Sequence, residues 1–175
     1  MTEAIECDTV LSLVREFYKL SGKVSNLGSC QDINFKFKDE ITSKSYVAKF
    51  TPAIQSTTLE IDLQHCLIKY LSTRIEMKGV DLPIPIPKTV EGADSNNTCN
   101  HEYITEVNIS GIKYYMRMLT FVQGNILSDY KYYNPEVLLS FGEFVGNITL
   151  CLKDFENYMH DRPEISAVAN RELEW

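Results

Sequence analysis

"INFKFKDEITSKSYVAKF", residues 33–50, decides the fold. Ile33, Phe35 and Phe37 alternate with Asn34, Lys36 and Lys38, the two-residue period of a strand with one buried face. "EITSK" reads as a polar turn. Tyr46, Val47, Ala48 and Phe50 then make another strand, with Lys49 set among them. Ammonium groups are almost never fully buried without a partner. Either Lys49 reaches water from the strand, or it is held inward to meet a negative group. The stretch alone leaves both open.

Working outward, a strand before the loop "SNLGSCQD" makes the region an antiparallel meander of strand, loop, strand, turn, strand. Before it, Val10, Leu13, Val14 and Phe17 fall at helical spacing within residues 7–20, with Asp8 as the expected N-cap. After it, Leu59, Leu63, Leu67 and Tyr70 share one face of a helix expected over 57–77, capped by Ser56 or Thr57 and stopped near Gly79. The alternating prolines of "VDLPIPIPKTVEG" predict extended chain, at most an edge strand. "ADSNNTCNHE" suits a hairpin tip. "YITEVNISGIKYYMRMLTFVQG" reads as two strands around "NISG", the second central. Asn134 caps and Pro135 opens a further helix, whose apolar stripe is Val137, Leu138, Phe141, Phe144, Val145 and Ile148. The rest, from Met159, reads as loop with at most a turn of helix. The order predicts an α+β fold: a five-stranded antiparallel sheet with one main helix, then a linker and a helix of a second region.

The chain has 175 residues, 44% of them hydrophobic and 23% charged, the balance of a soluble globular protein. A net charge of −7 argues against a general nucleic-acid binder or a basic membrane-surface protein. It still allows a local positive site for a phosphate. The acidic N-terminus lacks the pattern of a secretory leader, and no unbroken apolar run reaches the length of a membrane span. The five cysteines are odd in number and form no CxxC pair, which fits free thiols in a cytoplasmic protein. His65, His101 and His160 belong to no metal-binding pattern. No GxSxG, Walker or GxGxxG motif occurs.

The loop "SNLGSCQD", residues 25–32, has small side chains that let backbone N–H groups approach a polyphosphate. Small polar residues also fill ordinary hairpin turns. Lys49, on the third strand and pointing at the loop between the first two, has the placement by which kinases hold nucleotide phosphates. The following helix offers Glu60, Asp62 and the neutral Gln64 as partners for it.

Taken together, these pieces resemble the N-terminal lobe of the aminoglycoside phosphotransferase and choline kinase-like superfamily, and more narrowly the hydroxylysine kinase family. The resemblance runs in order over nearly the whole chain. "LSGKVSNLGSCQDINFKF" is similar to the family's first hairpin at Ser29, Asp32, Asn34 and Phe35. "YVAKF", "LQHCLIKYL" and "LPIPIPKTV" resemble its lysine strand, its helix and the proline-rich lead into its fourth strand. "YYMRMLTFVQGNIL" resembles its hinge and is the most specific block. "NPEVLLSFGEFVGNITLCLKDF" and "NRELEW" resemble the start of its C-lobe.

The resemblance implies a protein-kinase-like N-lobe over 1–122, then a hinge and the start of an incomplete C-lobe over 123–175. It implies ATP or GTP with Mg²⁺, and a small amino-alcohol such as 5-hydroxylysine as phosphoryl acceptor. Ser29 and Cys30 would cover the phosphates and Lys49 would contact them. Leu119 would line the base pocket, with Val24, Phe35 and Val47 as apolar walls. Thr120 and Val122 would meet the purine through backbone groups. The partner of Lys49 would be Asp62, Gln64 or Glu60. The family's catalytic loop, His-Gly-Asp-x-x-x-x-Asn, and its later metal-binding triplet do not occur; the only His-Asp pair is His160-Asp161. The expectation is therefore a piece of such a kinase, inactive by itself, or a short pseudokinase-like module that binds nucleotide or another protein. A small α+β binding domain that shares only the architecture is the remaining possibility.

Overall fold

The computed structural model describes residues 5–28, 32–89, 102–125 and 134–159. The fold is α+β, with an antiparallel sheet. It forms two compact units. The described parts of Met1–Thr58 and Pro83–Phe121 make one; those of Leu59–Leu82 and Val122–Trp175 make the other.

The first unit is a sheet with a helix on one face. Helix α1 (Cys7–Tyr18) buries Val10, Val14 and Tyr18, a four-residue spacing that keeps them on one side. Glu6 holds the cap position with extended backbone and makes no side-chain cap bond. Asp8, expected as the cap, instead lies in the first turn, where its charge complements the helix dipole. The strands are β1 (Gly22–Gly28), β2 (Ile33–Asp39), β3 (Ser45–Pro52), β4 (Pro85–Ile86), β5 (Thr105–Ile109) and β6 (Ile112–Thr120). Their order is β1-β2-β3-β6-β4, with β5 also paired to β6, and every pairing is antiparallel.

The described strands number six, not the expected five. The addition is the proline-rich segment, where Pro85 and Ile86 pair with Leu119 and Met118. It stays two residues long because proline has no N–H for a ladder. β6 is central, as its long apolar sequence predicts: β3 pairs with it, and so do β4 and β5.

The turns have local causes. The Asp39 carboxylate accepts from the Thr42 backbone N–H at 2.9 Å and from the Thr42 hydroxyl, closing the β2–β3 connection. Ser110 and Gly111 between β5 and β6 have φ of 51° and 80°, the positive pair that a two-residue primed hairpin turn requires. Asn108 Oδ1 accepts from the Gly111 N–H at 3.0 Å across that turn. Gly22 is required for another reason: a Cβ there would sit 2.0 Å from the Lys38 carbonyl oxygen. The core lies between α1 and one face of the sheet, where Phe35, Phe37, Ala48, Phe50, Met116 and Met118 meet Val10, Val14 and Tyr18.

The second unit holds helices α2 (Thr58–Ser72), α3 (Pro135–Leu152) and α4 (Phe155–Met159), with a 3₁₀ turn at Ile75–Met77. The helix expected over 57–77 ends at Ser72, because the Thr73 N–H and hydroxyl both turn back to the Tyr70 carbonyl. Asn134 caps α3 as its sequence predicts, accepting from the Val137 N–H at 2.8 Å, with Pro135 in the first turn. Phe144, Ile148 and Cys151 pack with Leu67, Tyr70, Leu71 and Met77. The Tyr70 hydroxyl donates to the Cys151 carbonyl at 2.9 Å. Of the rest of the expected stripe, Val137 is half-buried and Leu138, Phe141 and Val145 are exposed, as are Leu139, Leu150 and Leu152. By length and composition α3 is apolar enough to cross a membrane, a test that core helices of soluble proteins also pass. Counting unbroken apolar residues misses it, because Glu136 and Glu143 interrupt the run. Among the described residues Cys7, Cys66 and Cys151 are free thiols.

Candidate anion site on the polar face of the sheet

Strand register decides which residues share a face, because directly paired residues point the same way and neighbours along a strand alternate. Lys49 pairs with Asn34 on one side and Arg117 on the other. Val47 pairs with Lys36 and Leu119, and Leu119 with Pro85. These residues therefore share the face opposite α1. One row is apolar at its centre, Val47 beside Leu119. The next row carries Lys49 beside Arg117.

Two cations directly opposite each other destabilise a sheet unless something negative stands between them. Asp32 does so. It precedes β2 and continues the parity of Lys38, Lys36 and Asn34. Its Oδ2 lies 2.6 Å from Lys49 Nζ and 4.0 Å from Arg117 Nη2. Its Oδ1 accepts from the Thr51 hydroxyl at 2.6 Å. Thr51 Oγ1 in turn accepts from Arg117 Nη1 at 2.8 Å. Asn34 Nδ2 donates to the Asp32 backbone carbonyl at 3.3 Å.

Burial grades across this cluster. The Arg117 side chain is 3% exposed, Asp32 18% and Lys49 27%. The Lys49 side chain is thus the one of the three that solvent reaches most, and Arg117 the one it reaches least. Burial raises the Asp32 carboxyl, but the bonds from Lys49 and Thr51 and the charges of Lys49 and Arg117 together hold it below the ordinary range. Burial pulls Arg117 down, and Asp32 and Tyr18 push back.

The expected site residues fall out as follows. Lys49, Val47 and Leu119 share one face, and Leu119 is buried. Val24 and Phe35, expected with Val47 and Leu119 as apolar walls, lie on the other face. Phe35 pairs with Ala48, one residue out of phase with Lys49, and is fully buried in the core with α1; Val24 packs against that core. The Thr120 N–H donates to the Ile84 carbonyl at 2.8 Å, and its hydroxyl accepts from the Ile84 N–H at 2.8 Å. Val122 follows β6 and is exposed. Glu60, Asp62 and Gln64 lie on α2, in the second unit. Ser29 and Cys30 lie outside the described residues, as do the hairpin tip before Glu102 and the segment from His160.

Asp32, Thr51 and Arg117 are the members that sequence reasoning did not assign. The signal was present: Arg117 interrupts "YYMRMLT" as Lys49 interrupts "YVAKF", and two such charges in buried strands call for a shared acid.

Lys36 extends the positive character of this face. It stands one row from Lys49, its ammonium 4.0 Å from the centre of the Phe121 ring. An ammonium beside a small apolar floor, with further positive charge near, can hold an anion joined to a flat apolar group. Among the described residues no group of three or more His, Cys, Asp or Glu is placed to hold a metal ion. No protein-family model matches the chain, and no curated protein matches it.

Proposed function

We propose that the sheet unit is a nucleotide-binding lobe of a small-molecule kinase similar to hydroxylysine kinase, with Lys49 on the phosphates of ATP or GTP. One observation carries the reading. Lys49 stands on β3 with its side chain partly open to solvent, its ammonium tied to a carboxylate and one row from the apolar pair Val47–Leu119. A strand lysine paired with an acid, next to an apolar base platform, is how kinases hold a nucleotide. In kinases that acid comes from a helix; here Asp32 holds the ammonium.

The residues present fit the anionic and apolar parts of a nucleotide. They offer no carboxylate cluster among the described residues, so Mg²⁺ would arrive on the phosphates it accompanies. The Thr120 N–H is committed to Ile84, so it is not the group that would donate to a purine. Phosphoryl transfer depends on carboxylates that position metal and acceptor. The sequence has no catalytic-loop motif, so these 175 residues bind nucleotide and do not transfer phosphate. In an enzyme with that loop, the acceptor would be a small amino-alcohol. A fluorescent N-methylanthraniloyl nucleotide tests the reading. Its signal rises on binding wild type and falls on adding excess Mg-ATP. Equal binding to Lys49→Ala would overturn the assignment of Lys49.

A further inference from the structure

We infer that Thr51 and Arg117 are positioning residues for Lys49, acting through Asp32; this rests on the reading of Lys49 as the phosphate contact. Lysine has a flexible four-carbon stem, so a strand position alone does not fix its ammonium. The cluster supplies the missing constraint in a fixed order of donors. A threonine hydroxyl has one proton. Its oxygen accepts from Arg117 Nη1, so its proton goes to Asp32 Oδ1. That leaves Oδ2 for Lys49. Both carboxylate oxygens are then assigned, and the plane of the carboxylate is set. The Asn34 bond to the Asp32 carbonyl pins the backbone beneath it.

The anchoring residues are buried, and the Lys49 side chain is only partly so. Thr51 is 5% exposed and the Arg117 side chain 3%, against 27% for Lys49. Arg117 also faces Lys49 directly in register, so its charge pushes the ammonium away. Asp32 opposes that push, and the Thr51 hydroxyl fixes the carboxylate oxygen that leaves Oδ2 to Lys49. The relay therefore keeps the ammonium over the face, where an incoming phosphate meets it already placed.

The test uses the full chain and inorganic tripolyphosphate, with wild type, Lys49→Ala, Thr51→Val, Thr51→Ser and Asp32→Asn compared by calorimetry. The second readout is the acetylation rate of each lysine under limiting reagent, by mass spectrometry. Thr51→Val should weaken tripolyphosphate binding about tenfold, the scale of a lost hydrogen bond to a charged group. It should raise labelling at Lys49 while Lys36 and Lys38 stay unchanged. Thr51→Ser keeps the hydroxyl and should restore both to near wild type. If Thr51→Val fails to fold by circular dichroism, Asp32→Asn must show the same selective rise at Lys49. Unchanged Lys49 labelling in a folded Thr51→Val or Asp32→Asn chain overturns the relay, whatever binding does. A selective rise at Lys49 with equal tripolyphosphate binding by wild type and Lys49→Ala supports the relay and overturns the phosphate reading instead.

Discussion

Replacing Asp32 with Asn keeps the side chain's size and removes the charge that Lys49 and Arg117 both face. The cost follows from where the three groups sit. Breaking a fully buried ion pair costs about 3–5 kcal/mol, and an exposed pair is worth about 0–1 kcal/mol. Asp32 at 18% exposure and Lys49 at 27% lie between these limits, nearer the buried one. Arg117, directly across from Lys49, adds like-charge repulsion once the carboxylate is gone. The expected loss is about 2–3 kcal/mol. Urea denaturation followed by circular dichroism at neutral pH measures it.

The pH dependence has a definite sign. The folded Asp32 carboxyl is held below its unfolded value of about 3.9. Its contribution is therefore fully present above the unfolded value and is lost as pH falls through the folded one. The gap between wild type and Asp32→Asn should be constant near neutrality and close in acid below about pH 4. A variant within about 0.5 kcal/mol of wild type at neutral pH would refute the shared-carboxylate account.

Two further substitutions probe the frame around the site. Gly22→Ala puts a Cβ 2.0 Å from the Lys38 carbonyl oxygen, so β1 and β2 must separate. A loss of about 2–3 kcal/mol is expected from urea midpoints, and wild-type stability would contradict the close approach. Tyr70→Phe removes the hydroxyl that donates to the Cys151 carbonyl in the second unit. It should cost about 1 kcal/mol by the same measurement, and no loss would show that the bond contributes nothing.

The strands of the first unit were legible because α1 buries one sheet face and leaves the other polar, so Ile33, Phe35 and Phe37 had to alternate with Asn34, Lys36 and Lys38. Register was not legible. Alternation inside β2 does not say whether Phe35 or Asn34 stands beside Lys49. The turn at residues 40–44 sets that, and it places Asn34 there and Phe35 in the core. The same gap hid the support of Lys49. Thr51 and Arg117 are 66 positions apart, and only the β3–β6 register brings them together. Asp32 was visible as part of the hairpin but not as a partner, since helical acids such as Glu60 and Asp62 offered an equal claim on composition alone. Cap chemistry at Asn134 was local and therefore readable. Which edge of the α3 stripe is used was not, because Phe144, Ile148 and Cys151 are chosen by distant neighbours on α2 and at Met77.

The central claim is that Lys49 holds nucleotide phosphates. The most direct measurement is thermal unfolding of wild type and Lys49→Ala against rising Mg-ATP and Mg-GTP. A ligand that binds only the folded chain adds RT ln(1 + [L]/Kd) to its stability. The wild-type midpoint should rise with the logarithm of nucleotide concentration for at least one of the two, and the Lys49→Ala midpoint should not. A folded wild-type chain whose midpoint stays fixed at millimolar nucleotide, or a Lys49→Ala chain that rises equally, would contradict the account.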